Sequence, residues 1–192
     1  MLHRMPESPA IVLMLSAGTA AWYAMMIVHE SGHVLAAGLS GGRVARVVLH
    51  PLEFSHTELA SNPQPRFVAA AGLAWGAALP IAAWLIARAT RAPHLFLWRF
   101  FAGFCLLANG AYLASAVALP VGDADDLLRR GVPRWTMVIV GLAAVSAGLR
   151  LWHGLGPRFG LGGQRVDRGA VVASAAAAAA LVLFVVIWRV FA

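Results

Sequence analysis

Charge is scarce in this chain of 192 residues: charged side chains make up 12% of it and hydrophobic ones 60%. That is about half the charged share of an ordinary soluble protein, and a soluble domain of this size could not cover so much apolar surface. Lysine is absent, since all fifteen basic residues are arginine, a bias that fits the base composition of the coding DNA better than a function. A single cysteine, Cys105, excludes an intrachain disulfide and any multi-cysteine zinc site. A metal here must therefore be held by His, Asp or Glu. The net charge of +7 would suit nucleic acid, but no basic cluster alternates with aromatic residues. The arginines fall between apolar runs, where they anchor helix ends at lipid headgroups. No nucleic-acid partner is expected; the partner that the composition implies is the lipid bilayer.

A helix that crosses a bilayer needs about 20 mostly apolar residues. Four charge-free runs approach that length, at 8–28, 67–87, 100–122 and 169–188. A fifth, 135–149, extends through Leu151 and Trp152 if Arg150 snorkels. The expected fold is an all-α integral membrane protein with five transmembrane helices, at about 9–39, 67–88, 97–119, 134–153 and 169–190. The first run is read as a span and not as a cleaved leader, because it is long for a signal core and continues into His29 and Glu30. Gly41-Gly42 ends it, and Pro133 suits the start of the fourth span. Alanines 175–180 favour helix and close packing. Each side of the membrane receives a similar number of arginines, so the positive-inside rule gives no orientation.

Residues 43–66 differ in kind. Val44, Val47, Val48 and Leu49 favour strand, then Leu52 and Phe54 alternate with Glu53 and Ser55. Pro51, Pro63 and Pro65 restrict any strand to short edge pieces. A short β-hairpin-like segment at the membrane surface is expected, with an irregular interfacial loop as the alternative. In a hairpin, His50, Leu52, Phe54 and His56 share one face. They would shield a site or receive an extended substrate, or be interfacial residues with no such role.

The chemistry concentrates in His29-Glu30-Ser31-Gly32-His33. Two histidines four residues apart lie one above the other on a helix, so both imidazoles can reach one metal ion. Glu30 stands beside them and can take a proton from water and later return one to a leaving amine. Zinc suits such ligands. Polar and ionisable residues in a spanning segment are costly, which itself points to function. Haem is excluded, because histidines one turn apart cannot supply both axial ligands to one iron.

Zinc needs a third protein ligand. Glu53, Glu58, Asp123, Asp125, Asp126, Asp167 and the other histidines are the candidates. The first span carries His29 and His33 to its exit end, the second returns, and the third ends on the exit side again. Asp123, in Pro120-Val121-Gly122-Asp123, thus arrives at the same membrane face, with Asp126 as its competitor, whereas Asp167 falls on the opposite face. The alternative reading of Asp123, Asp125 and Asp126 is an acidic start to a helix, favourable to its dipole. His3, His94 and His153 sit near span ends and read as interfacial. Gly72, Gly76 and Pro80 read as close-packing and kink positions.

The runs 28–37 (Val-His-Glu-Ser-Gly-His-Val-Leu-Ala-Ala) and Pro120-Val121-Gly122-Asp123, with His50-Pro51-Leu52-Glu53 and residues 69–73 between them, resemble the site-2 protease family of M50 intramembrane metallopeptidases, and its M50B-like branch in particular. The resemblance covers about residues 20–130. It implies a catalytic core in residues 1–130, with residues 131–192 as an accessory two-helix part. It implies Zn2+ held by His29, His33 and Asp123, Glu30 as the catalytic base, and hydrolysis of peptide bonds in membrane-embedded or membrane-proximal protein substrates. A multi-pass protein of a bacterial-type plasma membrane is expected. In such enzymes the Asp usually follows an Asn-x-x-Pro stretch and precedes Gly. Here Asn109 lies well upstream of Pro120, and Asp123 is followed by Ala124. Asn109 is either a substrate or oxyanion partner, as the resemblance implies, or a buried amide bonded to a neighbouring helix. The rival functions are a catalytically silent scaffold of the same fold and a metal carrier or transporter. Glu30 argues against the first, and the gathering of polar residues at one face argues against the second.

Overall fold

A computed structural model describes residues 8–50, 55–116 and 118–191. Among these, five helices are long and apolar enough to cross a membrane: α1 (Ser8–Leu39), α2 (Pro65–Ala89), α3 (Leu95–Ser115), and two that are numbered below. A two-stranded antiparallel hairpin, β1 (Arg43–Val48) and β2 (His56–Ser61), separates α1 from α2. A short helix, α4 (Gly122–Arg129), follows α3. The chain then continues through α5 (Arg134–Trp152) and α6 (Arg168–Phe191), with 3-10 turns between them. The helices match the expected spans closely at both ends of the chain.

Two boundaries carry information. α1 stops at Leu39 because Gly41 adopts a left-handed φ of 75°, and the Gly42 amide bonds back to the Ala37 carbonyl at 2.8 Å. α3 stops at Ser115, short of the expected residue 119. The amides of Ala118 and Leu119 both close on the Ser115 carbonyl at 2.9 Å, which turns the chain before Pro120. That early stop leaves room for Gly122, at φ 54°, to launch α4 back over the bundle.

The hairpin is present, and its second strand begins at His56, later than the alternation at 52–55 suggested. Of the face proposed for His50, Leu52, Phe54 and His56, Leu52 and Phe54 lie outside the described residues, as do Pro51, Glu53 and His3. His50 itself follows β1 and lies outside the ladder, in which His56 pairs with Val48. In β2 the period of two points Thr57 and Leu59 inward and His56 and Glu58 outward. Arg46 and Glu58, opposite one another, pair at 2.6 Å on the outer face. The Arg46 guanidinium holds the Glu58 carboxyl below the usual range. On the far side of the hairpin, the Trp188 indole of α6 donates to the Val47 carbonyl at 2.8 Å.

α1 packs on α2 and α6, and α3 packs on α2 and α5. The contacts use small residues, which let helix backbones approach where no hydrophobic force drives association in lipid. A Cβ at Gly32 would stand 2.7 Å from the Ala71 carbonyl, so α1 and α2 touch there. α3 and α5 meet at two glycine pairs, Gly103 with Gly148 and Gly110 with Gly141, seven residues apart on each helix. α6 buries Ala170, Ser174 and Ala178 on one stripe, and Ser174 bonds Ser16 of α1 at 2.7 Å. A cluster of Ala69, Leu73, Ala116, Ala124, Leu127 and Met137 seats α4 against α2, α3 and α5. Large apolar side chains such as Leu15, Ile86, Ile139 and Val172 face outward, as a lipid-facing surface requires.

Candidate metal centre

Three ligand-type atoms converge between α1 and α4. His29 Nε2 lies 2.9 Å from Asp123 Oδ2, His33 Nε2 lies 3.1 Å from the same oxygen, and the two Nε2 atoms are 3.2 Å apart. The helical spacing of four puts the two rings edge to face on the inner side of α1. α4 then delivers Asp123 from the first turn of a helix whose N-terminal dipole favours a carboxylate. Tyr112 of α3 braces that turn, its hydroxyl donating to the Val121 carbonyl at 2.8 Å. Asp126 lines the same cleft one turn on, but among the described residues it makes no hydrogen bond or ion pair with either histidine. Asp125 pairs instead with Arg129 at 2.7 Å, and Asp167 with His94 at 3.0 Å at the other end of the bundle.

The outer ring nitrogens fix the tautomers. His33 Nδ1 donates to the Val68 carbonyl at 2.9 Å, which can only accept. His29 Nδ1 faces Asn109 Oδ1 at 2.9 Å, and the Asn109 amide is committed to the Cys105 carbonyl, so the oxygen is the acceptor. Both imidazoles therefore carry their proton on Nδ1 and turn a lone pair inward on Nε2. Two lone pairs and a carboxylate oxygen then face one another at about 3 Å. A proton can serve one pair of these atoms and leaves the third repelled. A divalent cation serves all three, and imidazoles anchored through their other nitrogen are the usual partners of such a cation. The donor set fits a metal. Asp123 lies outside the spanning helices. Burial works against its charge, but a proton shared with the facing imidazoles, in the place a cation would take, outweighs it and holds its carboxyl at about 2.

Glu30 stands beside this cluster and is held from a different element. Its carboxylate is 3% exposed, accepts from the Thr57 hydroxyl of β2 at 2.7 Å, and groups with the two histidines within 4.8 Å. The hairpin thus holds one oxygen of Glu30 and leaves the other side of the carboxylate to the cleft. That cleft, about 470 Å³, is walled by Trp22, Met25 and Met26 of α1, by Ala108 of α3 and by β2. His56 stands at its rim, where it also pairs with Glu58 at 3.4 Å. His50 is not among the lining residues.

Residues 10–121 match the Peptidase M50B-like family. The chain belongs to that family. The match covers more than half of the sequence and contains α1, the hairpin, α2 and α3. No curated protein and no solved structure matches it. For an M50B-like chain, four features of the centre go beyond the motif. Thr57 and the Val68 carbonyl are contacts between separate elements, invisible in the sequence. Gly72 was legible only as a packing residue. Its missing side chain is what admits the histidines, since a Cβ there would stand 2.9 Å from His29 Nε2 and closer still to His33. Gly76, one turn on, gives the same clearance to Asn109, at 3.0 Å.

Proposed function

We propose that this protein is an intramembrane zinc endopeptidase that cleaves a membrane-embedded or membrane-proximal polypeptide. The observation that carries the reading is the convergence of His29 Nε2, His33 Nε2 and Asp123 Oδ2 within 3.2 Å, with Glu30 beside them. His29, His33 and Asp123 would hold the zinc. Bound there, zinc supplies Lewis-acid polarisation of the scissile carbonyl and brings the pKa of water towards neutrality.

The rest of the chemistry belongs to the chain. Glu30, held by Thr57 on one oxygen, takes the proton of the attacking water with the other and passes it to the departing amine. Asn109 and Val68 keep the imidazoles in the tautomer that ligation needs. Trp22, Met25 and Met26 offer an apolar wall to the substrate chain, suited to a segment that comes from lipid. A silent scaffold could keep the two histidines and Asp123 but would have no use for an unligated buried carboxylate held in place by a second element.

The deciding experiment uses Glu30→Gln in the full chain. The variant should retain about one zinc per molecule, as a single site implies, and lose cleavage of a reporter transmembrane substrate. Retained cleavage would refute the role of Glu30. Replacement of both His29 and His33 by Ala should remove the zinc, and retained zinc would move the site elsewhere.

A further inference from the structure

The end of the bundle remote from the metal centre carries a second cavity that the proposed peptidase does not use. It is an open depression of about 1260 Å³ between the C-termini of α2 and α5, the start of α3 and the connection into α6. Arg88, Arg99, Arg150, Arg158 and Arg165 line it, and the one acidic residue among its lining is Asp167.

Asp167 does not neutralise them. Its Oδ2 pairs with His94 at 3.0 Å and its Oδ1 accepts the Gly169 amide at 2.8 Å. Arg99 donates to the carbonyls of His153 and Arg150. Among the described residues, Arg88, Arg150, Arg158 and Arg165 make no side-chain ion pair or hydrogen bond. Helix dipoles do not compensate either, because around the cavity the C-termini of α2 and α5 and the N-termini of α3 and α6 offset one another.

The contrast with the other face is in the acids. By topology, seven described arginines lie at each face: 43, 46, 66, 129, 130, 134 and 189 with the metal centre, and 88, 91, 99, 150, 158, 165 and 168 opposite. The metal face also carries Glu58, Asp123, Asp125 and Asp126, and two of its arginines are paired. The remote face has Asp167 alone among the described residues. Arginine count balances across the membrane, yet net charge and its convergence into a cavity do not.

The walls are half apolar: Trp84, Leu95, Phe96, Leu151, Leu155 and Val166 share the lining with the arginines. Trp84 precedes Arg88 by one turn of α2, about 6 Å deeper in the membrane. Cation above and indole below match a phosphate headgroup with its acyl chains. The site is also braced. His94 holds a left-handed φ of 50°, costly outside glycine, and from it reaches Asp167 and ties the α2–α3 turn to the start of α6.

We propose that this cavity binds the phosphate headgroup of an anionic phospholipid at the membrane face opposite the metal centre. Guanidinium pairs phosphate oxygens in a bidentate manner, and a basic pocket between spanning helices is the arrangement that retains such headgroups. Free phosphate shares the headgroup's chemistry but has no use for the apolar half of the cavity.

The test is native mass spectrometry of the full chain in detergent, with phosphatidylglycerol or phosphatidylcholine of the same acyl composition added. The wild type should retain phosphatidylglycerol at least about tenfold better. The triple variant Arg88→Gln, Arg150→Gln, Arg158→Gln should lose that preference. The matched triple at the other face, Arg46→Gln, Arg129→Gln, Arg130→Gln, should keep it. Equal retention of both lipids by the wild type, or equal loss in both triples, would overturn the proposal. Displacement of the lipid by millimolar inorganic phosphate would assign the cavity to a soluble phosphate and overturn the lipid reading. Helical circular dichroism and a monodisperse elution check the fold. If the far-face triple fails them, Arg158→Gln alone, at an exposed position outside the spanning helices, should lower the preference several-fold, and an unchanged preference overturns the proposal.

Discussion

Asn109 of α3 accepts the Nδ1 proton of His29 of α1 at 2.9 Å, across a helix contact that only Gly76 makes roomy enough. This buried amide turns its oxygen to His29 and gives one N–H of its NH2 group to the Cys105 carbonyl. It is a positioning residue. Asn109→Ala should leave His29 free to rotate and weaken zinc affinity about 10- to 100-fold, measured by competition with a chromophoric chelator. An unchanged affinity would mean that helix packing alone orients the ring.

The third ligand is decided by the same measurement. Asp123→Ala removes the carboxylate oxygen that, among the described residues, lies within hydrogen-bond distance of both Nε2 atoms, so zinc content should fall sharply in the purified protein. Asp126→Ala, one turn further on α4, should leave it near the wild-type level. The reverse pattern would transfer the role to Asp126.

Most of the fold could be read in the sequence because lipid imposes one rule on each span, length and hydrophobicity, and the runs satisfied it. The cluster that the structure brings together was legible for two reasons. His29 and His33 obey the helical period, and counting membrane crossings delivers Asp123, with Asp126 as its competitor, to the same face. What escaped is what depends on contact between elements. Thr57 sits in a strand whose start was misplaced by several residues, and nothing in His56 to Ser61 announces a partner on α1. The Val68 carbonyl has no side-chain signature at all. The acidic start at Asp123 reads in the sequence either as a complement to a helix dipole or as a ligand, and the two readings are compatible, because a first-turn Asp complements the dipole of α4 and still faces the histidines.

Gly72 gives the sharpest steric prediction. Gly72→Ala adds one carbon that would stand 2.9 Å from His29 Nε2 and nearer to His33, both of which are fixed from behind by Asn109 and Val68. The imidazoles cannot withdraw, so zinc binding and cleavage should both be lost while helical content stays normal. Gly76→Ala meets Asn109 at 3.0 Å and should be milder, with reduced zinc affinity. Wild-type zinc content in Gly72→Ala would show that α2 can move away from α1 at no cost.

Thr57 separates binding from chemistry. Thr57→Val keeps the shape and removes the hydroxyl that holds Glu30 at 2.7 Å. A hydrogen bond to a charged group is worth about 1.5–3 kcal/mol, so turnover should fall roughly 10- to 100-fold with zinc content unchanged. Thr57→Ser should recover most of the rate. Loss of zinc in Thr57→Val, or no recovery in the serine variant, would place the effect in hairpin packing.

The last two helices contribute to the centre through α3. Gly110, next to Asn109, packs against Gly141 of α5, and a Cβ at Gly141 would stand 2.6 Å from the Gly110 carbonyl and 2.7 Å from the Ala114 amide. Backbone is in contact with backbone there, so no side chain can rotate aside to relieve a larger residue. Gly141→Leu must push α3 away from α5 and, with it, Asn109 and the turn that launches α4. The expected outcome is a lower melting temperature together with weaker zinc binding in the full chain. The lipid-facing neighbour Leu142→Ala should change neither. If Gly141→Leu lowered the melting temperature but bound zinc as tightly as the wild type, α5 would be a stabilising companion of α3 with no hold on the site.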